Sequence, residues 1–254
     1  MNRERDTRAL VIAGGFGTRI GLDGPKGLIK VGETTIVGRM MEEVLQIPRV
    51  KKLAITTNAK FHPQYAAWLA EQPFRNRILL LNNHVQTNEG RLGAIGDIIY
   101  ALQELGWQDS NLLIMPSDTL YEFKIKEFLQ FAQTLNPLGL VTVACKMDRA
   151  RIARRQGCVI TDGIRVTNFV EKPEEPPSDL AVIPFYYYPK KYIPELQEYQ
   201  QKGGSLDAPS SIISWFIEKK LPVYAFETDE YYLDVGTRPD LLKIQDPSKL
   251  CIAI

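Results

Sequence analysis

The residues best equipped for chemistry begin at position 14. Gly14-Gly15-Phe16-Gly17-Thr18-Arg19 follows directly on the apolar run Ala9-Leu10-Val11-Ile12-Ala13, and Gly24-Pro25-Lys26-Gly27-Leu28 comes shortly after. Glycines let successive backbone N–H groups turn toward an anion and let that anion approach closely. Arg19 and Lys26 add two cations to a loop at the carboxyl end of a strand, where open α/β sheets bind ligands. The combination suits a polyphosphate; a tight turn with two solvated cations is the plain alternative. Two familiar phosphate loops are excluded. The dinucleotide pattern GxGxxG, begun at Gly15, needs a glycine where the chain has Ile20. The pattern GxxxxGK[ST] does not occur.

Two carboxylates stand at the ends of apolar runs. Asp118 follows Leu112-Leu113-Ile114-Met115, and Asp234 follows Tyr231-Tyr232-Leu233 and precedes Gly236. Taken singly, either aspartate would serve as a helix N-cap or a turn residue. His62 and His84 have no metal-ligand spacing, and a surface or core role is the simpler reading of both. Cys145, Cys158 and Cys251 form no CxxC pair, so neither a disulfide framework nor a structural zinc site is expected.

The elements that must position these residues alternate through the first half. Strands are expected at Ala9–Ala13, Leu53–Thr56, Ile78–Leu81, Leu112–Met115 and Leu138–Cys145. Helices are expected at Ile36–Ile47, His62–Glu71, Leu92–Leu105 and Lys124–Thr134. This βαβα order predicts an α/β fold: a doubly wound, mainly parallel, Rossmann-like mixed sheet with helices on both faces. The second half has crowded strand-like runs at Cys158–Thr161, Arg165–Val170, Leu180–Tyr188 and Val223–Phe226, with helices after Pro189 and over Ser210–Lys219. It reads as a smaller, lid-like C-terminal region of the same single domain, 1–254.

Composition narrows the classes. The 254 residues carry a net charge of +1, which offers no argument for a nucleic-acid or membrane-surface partner. No apolar run approaches the roughly 18 residues of a membrane span, and Met1–Arg8 is polar with no signal-peptide core. A cytoplasmic location is the expectation.

Several motifs in order resemble one family. Gly14–Arg19, then Pro25-Lys26 and Leu28-Ile29, look like the GGxGTR…PK opening of nucleotidyltransferases, in particular the sugar-1-phosphate nucleotidylyltransferases. Gly90-Arg91-Leu92-Gly93-Ala94, Ser117-Asp118, Glu171-Lys172-Pro173, Asp207-Ala208-Pro209 and Tyr232–Thr237 resemble later signatures, so the likeness covers nearly the whole chain. It implies that an NTP and a sugar 1-phosphate give an NDP-sugar and pyrophosphate, by in-line attack on the α-phosphorus.

The resemblance also implies roles. Arg19 and Lys26 would be catalytic, and Gly14, Gly15, Gly17 and Thr18 would cradle the triphosphate, with Gln86 and Gly93 at the base. Gly157, Glu171, Lys172 and Tyr186 would hold the sugar phosphate, although Tyr186 equally suits strand packing. The nucleotide part would span about 1–145 and the sugar-phosphate part about 146–254. Asp118 and Asp234 would converge on one Mg²⁺. Two carboxylates about 4 Å apart repel by roughly 4 kcal/mol at an effective dielectric of about 20, which a cation relieves. A homo-oligomer is implied, although no helix carries an apolar heptad seam. Three departures stand out: Ser117 where the family has glycine, Gly27 where it has proline or alanine, and Pro184 where it has glycine. They weaken any transfer of substrate identity, and the shorter spacer before Pro25-Lys26 leaves open a non-sugar alcohol phosphate; a non-catalytic, nucleotide-sugar-binding regulatory relative is the further alternative. A glycosyltransferase is disfavoured, because Ser117-Asp118-Thr119 supplies no DxD motif.

Overall fold

Alternation along the first strand decides the layering. In β1 (Thr7–Ala13), Ala9, Val11 and Ala13 join one buried cluster, while Leu10 joins another. Successive side chains of a strand point to opposite faces, so a strand apolar on both must be covered on both. The computed structural model describes residues 6–18, 21, 24–230 and 232–245.

After β1 come β2 (Lys30–Val31), β3 (Thr34–Thr35), α1 (Ile36–Leu45), β4 (Val50–Thr57), α2 (His62–Ala70), β5 (Ile78–Asn82) and α3 (Gly93–Leu105). The middle of the chain supplies β6 (Asn111–Pro116), β7 (Thr119–Tyr121), α4 (Ile125–Thr134), β8 (Leu140–Lys146) and α5 (Arg149–Ile152). Then follow β9 (Cys158–Asp162), β10 (Arg165–Val170), β11 (Leu180–Tyr188), α6 (Ile193–Gln201), α7 (Ile212–Glu218), β12 (Val223–Thr228), β13 (Tyr232–Asp234) and α8 (Arg238–Gln245).

Nine strands form one sheet in the order β5-β4-β1-β6-β11-β8-β12-β10-β9. The first four are parallel, with Ala9 opposite Leu53 on one side and Leu113 on the other. β11 then runs antiparallel between β6 and β8. β12 is parallel to β8, and β10 and β9 are antiparallel additions. A further pairing, Ala181 opposite Cys158, joins β9 back to β11, so β11, β8, β12, β10 and β9 close a ring of pairings.

Helices cover both faces, as expected. Val37, Met40, Met41 and Val44 of α1 pack with Tyr65 of α2 and Phe128 and Leu129 of α4 on one side. Ile95, Ile98 and Leu102 of α3 pack with Leu196 of α6 and Phe216 of α7 on the other. Each such fully buried aliphatic or aromatic side chain contributes about 1.5–3 kcal/mol. α1 starts at Thr35, whose Oγ1 accepts from Gly38 N–H at 3.0 Å, a cap worth about 1 kcal/mol.

The simple doubly wound picture needs correction in the second half. The strands within 158–228 are built into the sheet, with β11 at its centre, and are not a lid laid over it. The reason is visible in β11, whose residues are buried almost throughout, as a central strand requires. Pro184 falls at the register shift between Ile183 and Tyr186, where a missing ladder donor costs nothing.

Candidate active site

Four parallel strands end side by side and deliver the site. β1 runs into Gly14, β4 into Asn58, β5 into Asn83, and β6 into Ser117 and Asp118. The ladders continue past the strands: Ser117 N–H donates to the Ile12 carbonyl at 3.2 Å, and Asn83 N–H to that of Thr57 at 2.9 Å.

Gly14 is held from two sides. Asn58, fully buried, donates from Nδ2 to the Gly14 carbonyl at 3.0 Å, while its Oδ1 accepts from Phe61 N–H at 2.9 Å. On the other side a Cβ at Gly14 would overlap the carboxylate of Asp97 on α3. Asp97 is only 4% exposed, and its Oδ1 accepts from Asn83 Nδ2 at 2.7 Å. Burial pushes its carboxyl up to about 6, against the opposing pull of the Asn83 hydrogen bond.

Gly15 is exposed with open space around it, and Thr18 is exposed beyond it. Gly17 adopts φ +63 and lies against the stem of Lys26. Lys26 Nζ forms an ion pair with Asp118 Oδ2 at 2.6 Å, with the two side chains 16% and 28% exposed. Arg19 lies outside the described residues, as does Cys251. A Cβ at Gly27 would press on the Tyr65 hydroxyl, Val37 and the Ser117 carbonyl, so this departure is a packing requirement.

The backbones that carry the two carboxylates do come together. β13 pairs antiparallel with β7, setting Asp234 opposite Thr119, the residue after Asp118. Val235 N–H donates to the Asp118 carbonyl at 2.9 Å. Leu233 and Val235 enter a small core with Ile36, Leu120 and Ile244, so strand alternation turns Asp234 outward. The ribbon is anchored from beneath: Tyr121 OH donates to Glu43 Oε2 at 3.0 Å, and Ile125 N–H to Glu43 Oε1 at 2.7 Å. Burial raises the Glu43 carboxyl above the ordinary range.

Among the described residues no group of three or more His, Cys, Asp or Glu could hold a metal. A pair of hard carboxylate oxygens without nitrogen or sulfur ligands suits Mg²⁺, which takes one or two carboxylates and completes its shell with phosphates and water.

Motifs far apart in sequence also meet at the start of α3. Gly93 has φ +77 and faces the Leu206 carbonyl so closely that a Cβ would overlap it. Ile95 N–H donates to that carbonyl at 2.9 Å. Arg91 grips Asp207 with two bonds, Nε to Oδ1 at 3.0 Å and Nη2 to Oδ2 at 2.7 Å. Gln86 is exposed on the preceding loop, and no hydrogen bond among the described residues ties it to the rest of the site.

Gly157, Glu171 and Lys172 form a second group. A Cβ at Gly157 would press on the Phe169 ring and come within 3.3 Å of Glu171 Oε2. That oxygen accepts from Ser210 Oγ at 2.7 Å. Lys172 Nζ lies 3.7 Å from Glu171 Oε1, on a backbone with φ +45 that only a constrained non-glycine residue adopts. Tyr186 is fully buried with its ring 6.2 Å from that of Tyr188, so packing decides its placement. Burial, and then the neighbouring Tyr188 and Glu171, raise its phenol well above the ordinary value, with Ser210 acting the other way. The segment 206–210 bridges the groups: Leu206 and Asp207 serve the α3 end, and Ser210 serves Glu171.

Residues 8–248 match the family model described as nucleotidyl transferase. The chain belongs to that family. A glucose-1-phosphate adenylyltransferase of Thermosipho africanus is 25% identical over 244 residues, covering 90% of this chain and 58% of that protein. A mannose-1-phosphate guanylyltransferase catalytic subunit beta of Drosophila pseudoobscura pseudoobscura is 24% identical over 242 residues, covering 93% and 61%. This nucleotidyl transferase chain thus spans less than two thirds of either relative. A crystallised Bacillus anthracis protein, assigned as a glucose-1-phosphate thymidylyltransferase and bound to sucrose, shares the fold. Its TM-score is 0.78 at 17% identity, over 98% of this chain and 97% of that one.

Sequence reasoning passed over Asn58, Asn83, Asp97, Glu43 and Ser210. Asn58 and Asn83 stand just past strand ends, where the rule that found Asp118 would also have found them. Asp97 carried a signal too, as a carboxylate set among Ile95, Ile98 and Ile99 on the apolar side of a helix. Ser210 carried none, because its partner is 39 residues away.

Proposed function

We propose that this nucleotidyl transferase joins an NTP to a sugar 1-phosphate, releasing pyrophosphate and an NDP-sugar. The observation that carries the reading is the meeting of Lys26, Asp118 and the Asp234 strand beside the glycine loop, at the carboxyl ends of β1 and β6. The names of the relatives, which transfer adenylyl and guanylyl groups to sugar 1-phosphates, support the same chemistry.

A phosphate oxygen of the sugar 1-phosphate attacks the α-phosphorus, and the bond to the pyrophosphate oxygen breaks in line. The incoming phosphate is itself the nucleophile, so catalysis is positioning and charge stabilisation. Backbone N–H groups of Gly14, Gly15, Gly17 and Thr18 cradle the triphosphate. Arg19 and Lys26 neutralise charge on the transferring and leaving phosphates. Lys172 aims the sugar phosphate, Glu171 accepts from sugar hydroxyls, and Gly157 lets the sugar approach the backbone beside Tyr186. Gln86 and Gly93 flank the base. Mg²⁺, when bound to Asp118 and Asp234, offsets the repulsion between the two anionic substrates. Residues 1–145 serve the nucleotide and 146–254 the sugar phosphate, in a cytoplasmic homo-oligomer without nucleic-acid or membrane partners.

The test is pyrophosphate release from ATP, GTP, CTP, UTP and dTTP with Mg²⁺ against a panel of sugar 1-phosphates and alcohol phosphates. Release that needs one NTP and one sugar 1-phosphate, and is lost in Asp118→Asn, is expected. Release with an alcohol phosphate alone would replace the sugar in this reading. No release from any pair, with the protein folded, would remove the reading.

A further inference from the structure

Asp97 is a buried carboxylate that the transfer reaction does not use. It sits on α3 four residues after Gly93, on the same helix face, and helical Cα–Cβ bonds tilt toward the N-terminus. Its side chain therefore leans toward the end of α3 where the base is expected. One carboxylate oxygen takes the Asn83 amide at 2.7 Å, and the other lies against Gly14 of the glycine loop. Asp97 and Asn83 thus join the glycine loop to α3, the helix that Gly93 opens.

An ionised carboxylate has room for about four hydrogen bonds. Among the described residues Asn83 is the one hydrogen-bond donor to Asp97, and no lysine or arginine pairs with it. Leaving a charged acceptor buried with a single donor is costly, so such a group marks a place where a donor arrives with a ligand. The ligand expected beside Gly14 is a nucleotide, and adenine, cytosine and guanine each carry an exocyclic amino group. Uracil and thymine offer one N–H between two carbonyls, which a carboxylate repels.

We propose that Asp97, held by Asn83, is a base-specificity residue of the nucleotide site, accepting a hydrogen bond from a base amino group and disfavouring uracil and thymine. The inference rests on the nucleotidyl-transfer reading and sharpens it. At neutral pH the carboxylate is the acceptor. As pH falls through about 6 it gains a proton and turns partly into a donor, and burial and the Asn83 amide, not a charged side chain among the described residues, set that value. Affinity for the favoured nucleotide then drops.

The chain is assayed with the five nucleotides, each with Mg²⁺ and the best sugar 1-phosphate, for the natural sequence and for Asp97→Asn. Nucleotide binding is measured alongside. The expected result is a preference for ATP, GTP or CTP over both UTP and dTTP of at least about tenfold in kcat/KM. Asp97→Asn, melting as a folded protein, is expected to lose about 10- to 100-fold for the favoured nucleotide, mainly in KM, while UTP and dTTP hold or improve. In the natural sequence KM for the favoured nucleotide rises below pH 6, and the variant lacks that rise. Should Asp97→Asn fail to fold, Asn83→Ser and the pH profile of the natural sequence carry the test. A natural preference for UTP or dTTP overturns the inference and leaves nucleotidyl transfer standing. An equal loss for all five nucleotides assigns Asp97 to holding the loop and also overturns it. No binding or turnover of any nucleotide removes the transfer reading, and the inference with it.

Discussion

At one end of the site, Gly14, Asn58, Asn83 and Asp97 form a buried network, and Lys26 meets Asp118 with only 16% of the lysine exposed. At the other, Lys172 is 55% exposed, and Glu171 is steadied by Ser210 and the neighbouring lysine. The difference follows from the material. The first end, the proposed nucleotide site, is built from the carboxyl ends of four parallel strands, whose backbones are already fixed by the sheet. The second end, the proposed sugar-phosphate site, is built on a turn after β10 and on the 206–210 segment, whose groups owe their place to a few side-chain bonds. Buried polar groups resist displacement because an orphaned partner is costly, while exposed ion pairs are screened by water and salt. The proposed nucleotide end should therefore couple binding to stability, and the proposed sugar-phosphate end should not.

Five measurements would break or sharpen that contrast. Asp118→Asn removes the partner of Lys26 and half of the carboxylate pair. Turnover is expected to fall by about 10²–10³, read as initial rates of pyrophosphate release. A loss under threefold would take the carboxylate pair out of the reaction.

The second measurement is stability against pH. The Asp97 carboxyl rises from 3.8 to about 6 on folding, so the folded state favours its protonated form. This contribution is fully present below about pH 3.8 and is lost as pH rises through 6. The rise corresponds to about 3 kcal/mol. Denaturation curves of the natural chain and Asp97→Asn are expected to diverge between pH 4 and 7 in the variant's favour. Parallel curves would show that Asp97 does not carry the shift.

Gly14→Ala places a methyl against the Asp97 carboxylate, and a strained core contact of this kind costs about 1–3 kcal/mol. Both Tm and nucleotide affinity are expected to fall, which the coupling at this end requires. A fall in affinity with Tm unchanged would deny it. Lys172→Ala is the counterpart at the exposed end. Its KM for the sugar phosphate is expected to rise about tenfold, the size of one charge-assisted hydrogen bond, with Tm unmoved. Arg91→Ala, which cuts the surface pair with Asp207, is expected to have the smallest effect of the five, seen as a minor change in KM and none in Tm. A large Tm loss there would mean that the bridging segment 206–210 holds the molecule together.

Much of this organisation is legible before any coordinates. The strands of the first half announce themselves as short apolar runs, and the glycine loop after Ala13 follows from residue types alone. Glu171-Lys172-Pro173 is equally plain, although its strained backbone at Lys172 is not. The network around Gly14 is harder to read. Asn58, Asn83 and Asp97 each carry a local signal, but they come from three elements and nothing local says that they meet. The ring of pairings through β11 is hidden for a similar reason, because strand order depends on contacts between residues widely separated in the chain.

What the sequence determines by itself is therefore local: the periodicity that makes strands and helices, the glycines that free the loop, and the charges that suit phosphate. The tertiary structure decides which of those charges meet. Asp118 and Asp234 are 116 residues apart in the chain, in the same way that Arg91 and Asp207 are. Only the pairing of β7 with β13 sets Asp234 opposite Thr119. The physical reason is that a side chain's chemistry is carried by its own atoms, whereas its partners are set by packing and by the register of a sheet assembled from the whole chain.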